Sequence, residues 1–324
     1  ELRHWNTHVI KNNTVNGKPL YYFKDVSGGR VPEDAGQVIL ANCTQMLVEN
    51  LNIKNTDIAI LIVLSSQITI RNNNVSENGY GIYLYGSSNN TVCGNNVSEN
   101  ECKGICLVYS SGNVVCGNAA SGNWYGISLW GSSNNTVCGN TVSGNRDDGI
   151  CLYYSSNNNV ISGNAASGNG GSGIRLWDSS NNVISENAVS ENGDIGILLD
   201  DSSDNVVSGN VMTGDGVVID GDELRHWNTH VIENNTVNGK PLYYFKDVSG
   251  GRVPEDAGQV ILANCTQMLV ENLDIKNTDV AILIGFSSQI TIRNNTASEN
   301  RGGIWLWDSS DNVITGNNIS NSEK

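Results

Sequence analysis

A repeat with a period of 22 to 24 residues constrains this chain more than any other feature. Its clearest unit is GIYLYGSSNNTVCGNNVSENECK, residues 81–103, and the same Gly-Ile, Ser-Ser and Gly-Asn frame begins again at five later glycines. These are Gly104, Gly126, Gly149, Gly173 and Gly196. A unit this short cannot bury a hydrophobic face by itself, so successive copies must stack on one another. The repeat therefore predicts a solenoid.

The apolar residues within one repeat alternate with polar residues over very short runs. Ile82 and Leu84 form one such run, and Val92 and Val97 mark two more. Alternation with a period of two is typical of a strand rather than a helix. Three short strands per repeat, separated by Gly, Asn and Ser, predict an all-β fold, a single-stranded parallel β-helix with about 22–24 residues per coil.

A second and much longer repeat overlies the first. Residues 1–78 return at 223–300 with only a handful of changes. We therefore predict two modules in one continuous solenoid, residues 1–222 and the start of a duplicate at 223–324, and we expect the chain to belong to a longer array. Residues 24–36 and their copy 246–258 break the period with Gly and Pro, which predicts protruding loops.

Charge excludes two classes of partner. The formal net charge is -15, the sequence pI is about 4.5, and Lys and Arg together number 18. Binding of nucleic acid or of an anionic membrane surface needs clustered basic residues, so neither is expected. No apolar run approaches the roughly 20 residues of a membrane-spanning helix, so no membrane insertion is predicted.

One asparagine recurs at the same place in nearly every coil. Stacked amides can bond from donor to acceptor along a solenoid and can satisfy backbone groups where strands bend. We predict a structural role for this ladder, and for the serine pairs and a second asparagine column beginning at Asn78. The ladder consists of Asn73, Asn95, Asn118, Asn140, Asn164, Asn187 and Asn210.

These motifs allow a family to be named. The frame SSNNTVCGNNVSENECKGI and the module opening NGKPLYYFKDVSGGRVPEDAGQVILANC resemble the NosD-type β-helix repeats of many archaeal cell-surface proteins. The resemblance covers essentially the whole chain and implies a right-handed parallel β-helix. The repeat class includes carbohydrate-binding and sugar-cleaving proteins, surface-layer or sheath components, and a periplasmic accessory protein of copper-site maturation. Fold does not decide among these functions.

Enzymes with this fold place carboxylates beside His, Arg or Lys on adjacent coils, because general acid and base groups must flank one scissile bond. Asn55-Thr56-Asp57, Asp147-Asp148 and Asp200-Asp201 offer carboxylates. The histidines all lie in the module openings, which predicts that they are far from these aspartates. The sequence therefore predicts that the protein is not an enzyme.

The spacing of the histidines raises the hypothesis of a copper site. His4 and His8, like His226 and His230, are four residues apart. On a strand such a pair would be about 13 Å apart, too far to share a metal ion. No histidine metal site is predicted.

Cysteines recur at equivalent positions of successive coils. Cys93, Cys116 and Cys138 share one column, whose neighbouring Cα atoms would be about 4.8 Å apart, within disulfide range. Two interpretations remain open: small residues interchangeable with serine, or an oxidised staple or cross-link. The candidates are Cys93, Cys116, Cys138, Cys102, Cys106 and Cys151.

Alternation also places a row of aromatic residues outside the solenoid. Exposed aromatic residues in a row can stack on sugar rings or form the strip where one rod packs on another. This contact stripe is predicted at Tyr83, Tyr85, Trp130, Tyr153, Trp177, Trp305 and Trp307. No cofactor is predicted apart from calcium, for which the candidates are Asp215, Asp220, Asp222 and Glu223 at the module junction.

The sequence thus predicts an extracellular, cell-surface structural protein without enzymatic activity. It would be a rigid acidic rod that assembles side by side or end to end into a surface layer, sheath or filament. One alternative is a carbohydrate-binding adhesin that uses the aromatic stripe. The others are a polysaccharide hydrolase or lyase and a copper-maturation accessory protein. The expected partners are further copies of the chain and glycans.

Overall fold

The structure, a computed structural model, describes residues 2–322. It confirms the predicted fold class: within these residues the chain forms a right-handed parallel β-helix of about 13 turns. The described part also contains two helices of one turn each, α1 (Arg3–Asn6) and α2 (Arg225–Asn228), which occupy equivalent places in the two modules.

Most coils contribute three strands, and a pair or a long strand opens each module. Up to residue 121 the strands are β1 (Thr14–Val15), β2 (Lys18–Lys24), β3 (Gln37–Ala41), β4 (Leu47–Glu49), β5 (Asn52–Lys54), β6 (Ile58–Val63), β7 (Thr69–Arg71), β8 (Asn74–Ser76), β9 (Tyr80–Tyr85), β10 (Thr91–Cys93), β11 (Asn96–Ser98), β12 (Lys103–Val108), β13 (Val114–Cys116) and β14 (Ala119–Ser121). The rest of the first module contains β15 (Tyr125–Trp130), β16 (Thr136–Cys138), β17 (Thr141–Ser143), β18 (Ile150–Tyr153), β19 (Val160–Ser162), β20 (Ala165–Ser167), β21 (Ile174–Trp177), β22 (Val183–Ser185), β23 (Ala188–Ser190), β24 (Ile197–Asp200), β25 (Val206–Ser208), β26 (Val211–Thr213) and β27 (Val217–Asp220). The second module contains β28 (Val231–Glu233), β29 (Thr236–Val237), β30 (Lys240–Lys246), β31 (Gln259–Ala263), β32 (Leu269–Glu271), β33 (Asp274–Lys276), β34 (Val280–Gly285), β35 (Thr291–Arg293), β36 (Thr296–Ser298), β37 (Gly302–Trp307), β38 (Val313–Thr315) and β39 (Asn318–Ser320).

Three long sheets form the sides of the first module. Sheet I contains the longer strands, in the order β1-β2-β3-β6-β9-β12-β15-β18-β21-β24-β27. Sheet II runs from β4 to β28, and sheet III begins at β5 and adds every third strand to β29. Apart from the antiparallel pair β1–β2, the strands pair in parallel and in register, so Ile82 lies opposite Ile105 and Val97 opposite Ala120. Each column of equivalent residues therefore runs straight along the solenoid.

The predicted core residues lie inside. Ile82, Leu84, Val92 and Val97 have no exposed surface, and their equivalents form one continuous cluster through the first module. Burying a side chain of this size stabilises the fold by about 1.5–3 kcal/mol. The sum over many coils is the main favourable contribution to folding.

The glycine that opens each repeat is required by close packing between coils. A Cβ atom on Gly81 would lie 2.5 Å from the carbonyl oxygen of Gly104, and one on Gly104 would lie 2.7 Å from that of Gly126. Contacts this short exclude any side chain. The Gly-Ile frame in the sequence thus marks the place where consecutive coils approach most closely.

The predicted asparagine ladder is present and buried. Oδ1 of Asn118 accepts hydrogen bonds from the backbone N–H of Asn95 (3.0 Å) and from its Nδ2 (2.9 Å). Nδ2 of Asn118 donates to Asn140 Oδ1 (2.9 Å) and to Val92 O (3.0 Å). The second column, which includes Asn78 and Asn100, repeats this geometry. Each amide thus satisfies the backbone of a neighbouring coil where the strands bend.

A third buried column, formed by the second asparagine of the Ser-Ser-Asn-Asn motif, was not predicted from the sequence. Oδ1 of Asn113 accepts from the backbone N–H of Asn90 (2.9 Å) and from its Nδ2 (3.0 Å). The first serine of the motif has a similar role, since Ser110 Oγ accepts from Ser87 N at 3.0 Å. The column was visible as a recurrent asparagine and comprises Asn90, Asn113, Asn135, Asn159, Asn182 and Asn205.

The loops predicted to protrude pack against the solenoid instead. Gly28 N donates to Thr44 O (2.8 Å) and Val31 N donates to Leu47 O (2.9 Å), so residues 25–31 run alongside the next coil and bond to its backbone. Val31 and its equivalent Val253 are fully buried. The prediction of protruding loops was wrong because the Gly-Pro pattern marks a change in backbone direction, and the apolar residues between the breaks still enter the core.

The module junction reverses the side on which the core lies. Sheet III continues from β29 through an antiparallel pairing into β30, β31, β34 and β37. Ile261 and Leu283 on these strands pack in the first core, whereas Val260 and Leu262 belong to a separate core of the second module. The outer face of the second module therefore covers the end of the first.

We expect the replacement Asn118→Ala to lower the free energy of unfolding by about 3 kcal/mol or more, because it leaves buried donors and acceptors without partners. Urea unfolding followed by circular dichroism measures the loss. Asn96→Ala is the matched control, since exposed Asn96 makes one side-chain bond to Asn74 (2.9 Å) and should cost less than about 1 kcal/mol. Equal losses for the two variants would contradict a structural role for the ladder.

Candidate functional site

Three aromatic side chains form the aromatic ledge, which we define as Trp130, Tyr154 and Trp177. Trp130 and Trp177 end β15 and β21, and Tyr154 lies just beyond β18. The ring centroids of Trp130 and Tyr154 are 4.3 Å apart, and those of Tyr154 and Trp177 are 5.1 Å apart. The register of sheet I places Trp130, Tyr153 and Trp177 on successive coils, as the alternation predicted.

Tyr153 departs from the predicted contact stripe because it is buried. Its exposed fraction is 7%, and its hydroxyl donates to Asp148 Oδ2 at 2.7 Å. Burial raises the pKa of Tyr153 above its usual range, and burial likewise raises the pKa of Asp148. Tyr154, 41% exposed, takes its place at the surface. Tyr153 is a support beneath the ledge rather than a contact residue.

The rest of the predicted stripe falls in two other places. Tyr83 and Tyr85 are half-buried near the start of the chain, where Tyr85 lies 6.1 Å from the ring of Trp5. Trp305 is half-buried, and Trp307 is 41% exposed beside a cavity of about 400 Å³ that Val218 and Leu283 also line. The residues of the predicted contact stripe therefore lie in three separate patches and do not form one row.

The aromatic ledge leads into a cleft of about 380 Å³ between the modules, the junction cleft. The first module supplies Tyr154, Trp177, Asp178, Asp201 and Asp222, and the second supplies Glu223, Arg225 and His226. α2 positions the last two of these residues. The cleft thus combines an aromatic wall with carboxylates, a guanidinium group and an imidazole.

Within the junction cleft, His226 Nδ1 lies 3.5 Å from Asp201 Oδ1, and Arg225 Nε pairs with Glu223 Oε2 at 2.7 Å. His226 is 6% exposed, and among residues 2–322 its Nδ1 makes no hydrogen bond. The expectation that histidines lie far from the aspartates is therefore wrong for this pair. An imidazole beside a carboxylate can exchange protons with a bound hydroxyl group.

Two features hid the junction cleft from sequence analysis. The module openings fold as helical turns rather than strands, so the expected 13 Å separation of paired histidines does not apply: His230 Nε2 contacts His226 O at 2.8 Å. In addition, β27 pairs with β24 so that Asp220 lies opposite Asp200, and the chain after β27 enters α2, which places His226 beside Asp201. No local pattern of residues signals this contact.

The calcium candidates do not form one group. Asp215 is fully buried at the end of the second asparagine column, where Oδ2 accepts from Asn192 Nδ2 at 2.7 Å. Asp220 accepts from Gly221 N (2.8 Å), and Asp222 and Glu223 line the junction cleft. Among residues 2–322 no cluster of three or more His, Cys, Asp or Glu side chains is arranged to hold a metal ion.

All eight cysteines lie in the described part of the chain and are free thiols. Cys93, Cys116 and Cys138 are partners on successive strands of sheet II, as predicted. Cys106 and Cys151 flank Ser128 in sheet I and are fully covered, so burial raises the pKa of Cys106 to about 12. Cys102 lies in a bend and is half-buried. Both interpretations of the column, small residues interchangeable with serine or a cross-link, stay predictions.

The geometry defines a right-handed parallel β-helix protein with an aromatic and acidic cleft at a module junction. Family comparison agrees: the model described as "Periplasmic copper-binding protein (NosD)" matches residues 97–250 and 245–324, and the model described as "Right handed beta helix region" matches residues 3–120. The NosD matches together cover more than half of the chain. The chain belongs to the NosD family.

Several solved structures have a similar fold. The A-module of the mannuronan C-5 epimerase AlgE6 from Azotobacter vinelandii gives a TM-score of 0.50 at 14% identity and covers 94% of this chain and 91% of its own. A double mutant of the periplasmic alginate epimerase AlgG gives 0.50 at 13%, covering 93% and 77%. A DFA-IIIase mutant from Arthrobacter chlorophenolicus A6 gives 0.50 at 15%, covering 79% and 67%. No curated protein sequence matches the chain.

These structures correct the prediction that the protein is not an enzyme. They include epimerases, so the same fold carries enzymes and the prediction was wrong. At such low identity the likeness shows the fold alone. Among residues 2–322, no helix is long and apolar enough to cross a membrane.

The described residues do not fit a bound copper ion, although the family description names copper. Both ring nitrogens of His230 are engaged: Nδ1 accepts from Asn205 N (3.1 Å), so Nε2 carries the proton and donates to His226 O. Burial lowers the pKa of His230 to about 4. This histidine ends the third asparagine column and serves as a structural residue.

We expect Asp215→Asn to stabilise the fold at neutral pH. Burial raises the pKa of Asp215 from 3.8 to about 6, so the native state loses stability as pH rises from about 4 to 6 and the buried carboxyl ionises. Asparagine keeps the acceptor for Asn192 and carries no charge.

The variant should gain about 1–3 kcal/mol at pH 7.5, and this gain should approach zero near pH 4. Urea unfolding of both proteins at the two pH values measures it. A difference that does not change with pH would contradict burial of the charge.

Proposed function

We propose that this chain is a protein of the cell exterior that binds polysaccharide along the aromatic ledge and in the junction cleft. The observation that carries the proposal is the direct continuity of Trp177 and Tyr154, which belong to the ledge and also line the cleft. Aromatic faces stack on the apolar faces of sugar rings, while carboxylates and a guanidinium group bond to hydroxyl groups.

Charge narrows the class of polysaccharide. The net charge is -15, and the junction cleft contains four carboxylates, among which Glu223 already pairs with Arg225. Like charges brought together at a binding surface cost several kcal/mol, so an acidic polysaccharide is disfavoured. The ligand class is therefore an uncharged polysaccharide.

The rigidity of the ledge favours binding. Tyr153 is fixed beneath it by Asp148, and Lys103 Nζ lies 5.5 Å from the ring of Trp130. A surface already held in its binding geometry loses little conformational entropy when a ligand arrives. The supporting groups thus contribute to affinity without touching the sugar.

We expect Trp177→Ala and Trp130→Ala each to weaken polysaccharide binding at least tenfold, because each removes a stacking surface of the ledge. A glycan array selects an uncharged polysaccharide, and isothermal titration calorimetry then measures affinity. Trp124→Ala is the matched control, since Trp124 is 46% exposed and its Nε1 donates to Asp147 (3.2 Å), outside the ledge. An equal loss for the control, or acidic polysaccharides as the preferred ligands, would refute the proposal.

We propose as a second function that the chain contributes to an assembled surface layer, sheath or filament at the cell surface. The specific support is the module junction, where one module covers the end of another through strands and buried side chains. A contact of this head-to-tail type can be repeated without limit, which is how open assemblies grow.

Electron microscopy of the protein purified from its native source tests the assembly. The expected result is elongated or layered particles whose repeat distance matches the module. Dispersed single particles at high protein concentration would contradict this second function and would leave polysaccharide binding unaffected.

A further inference from the structure

The two near-identical module openings have different surroundings. In the second module the four residues Trp227, His230, Gln259 and Asp279 are 0–4% exposed. Their counterparts Trp5, His8, Gln37 and Asp57 are half-buried or exposed. Because the sequences match, the difference in burial arises from what lies against each opening.

The end of the first module buries the second opening. Gln259 Oε1 accepts from Val217 N (2.9 Å), and Gln259 Nε2 donates to Val217 O (2.8 Å). Asp279 Oδ2 accepts from Gly196 N (2.8 Å) and from Gly216 N (2.7 Å). These bonds satisfy backbone groups at the open edge of the last coil, which would otherwise lack a partner.

The first opening already has the internal arrangement of the second. Gln37 Nε2 donates to Ile58 O (2.8 Å), as Gln259 Nε2 donates to Val280 O (2.9 Å). Lys24 Nζ donates to His8 O (2.8 Å), as in the second module. The surface therefore needs little rearrangement to receive a partner.

Ile39 is half-buried, whereas its counterpart Ile261 is fully buried in the first core. We propose that His8, Gln37, Ile39 and Asp57 form a docking face for the last turn of another module with the sequence of residues 193–222. The occupant is a further copy of the module on the N-terminal side, joined as Asp222 is joined to Glu223 here. Docking would pair the partner's backbone amides with Gln37 and Asp57.

Docking would also complete a second cleft. In the junction cleft, the second module contributes His226, which faces Asp201 of the first. His4 is the counterpart of His226 and is exposed. A docked module would bring its own copy of Asp201 to His4, so each module added to the array would create one more cleft. The inference holds whether or not the chain binds polysaccharide or forms filaments.

One difference between the two openings lies at this face. A Cβ atom on Gly285 would lie 2.2 Å from Trp227 Cε3, and the first module has Val63 there. Trp5 accordingly packs 6.1 Å from Tyr85 instead of entering the position of Trp227. Docking therefore depends on the polar side chains of His8, Gln37 and Asp57 and on Ile39, and Trp5 lies at the edge of the docking face.

The test compares the 324-residue chain with an extended chain in which a further copy of residues 1–222 precedes Glu1. The substitution Val9→Ile in the added copy gives peptides of that copy a different mass. The Val9 side chain is 76% exposed, so the substitution should not disturb packing. Diethylpyrocarbonate labels accessible histidines, and mass spectrometry measures the rate at each. The His8 that follows the added module should react at least tenfold more slowly than His8 of the 324-residue chain. His8 of the added module serves as the exposed control.

A matched pair of substitutions identifies the contact. In the 324-residue chain, Asp279→Ala should speed hydrogen exchange at Gly216 at least tenfold, and Asp57→Ala should leave it unchanged. In the extended chain, Asp57→Ala in the original first module should speed hydrogen exchange at Gly216 of the added copy. The expected increase is as large as the one that Asp279→Ala causes at Gly216 of the 324-residue chain. The double substitution Val63→Gly and Leu64→Phe gives the first opening the residues that the second has at Gly285 and Phe286. The proposal is overturned if His8 stays reactive after extension, or if protection appears only with this double substitution.

Discussion

The hydrogen bond between one coil and the next is the interaction on which the whole structure depends. Every strand of a coil donates to and accepts from its neighbours along the solenoid, and the buried asparagine columns do the same at the bends. One coil contributes few apolar side chains to the core, such as Ile82, Leu84, Val92 and Val97, so no coil could be stable without the coils beside it. Stability is therefore a property of neighbouring pairs of coils.

This dependence on neighbours also explains why the solenoid end matters for function. The last coil of the first module presents Gly196, Gly216 and Val217, whose backbone amides need acceptors. The second module supplies them from Asp279 and Gln259, and its residues Glu223, Arg225 and His226 complete the junction cleft. The addition of one module thus both closes an edge and builds a cleft.

Much of the fold could be predicted from the sequence because a column of equivalent residues has one environment. Ile82, Leu84, Val92 and Val97 repeat so regularly that their inward direction follows from period alone. Asn118 and its equivalents could be assigned to a ladder for the same reason. The column of Asn113 is equally regular, so its burial follows from the same period.

The site was less predictable because it depends on contacts that break the repeat. The burial of Tyr153 depends on a bond to Asp148, which has no equivalent in the other coils of the column. His226 meets Asp201 because β27 pairs with β24 and the chain then turns through α2, and neither strand pattern nor residue spacing predicts that helical turn. Non-repeating contacts of this kind are where the function of a repeat protein is concentrated.

The antiparallel pair β29–β30 has a mechanical consequence. Within a module, tension along the axis is shared by three parallel ladders and the amide columns. At the junction the chain passes through a tight turn between Val237 and Lys240, and only two residue pairs join the strands. A pulling force at the junction is therefore resisted by this short pairing together with the bonds from Gln259 and Asp279 to the first module, and not by three continuous ladders.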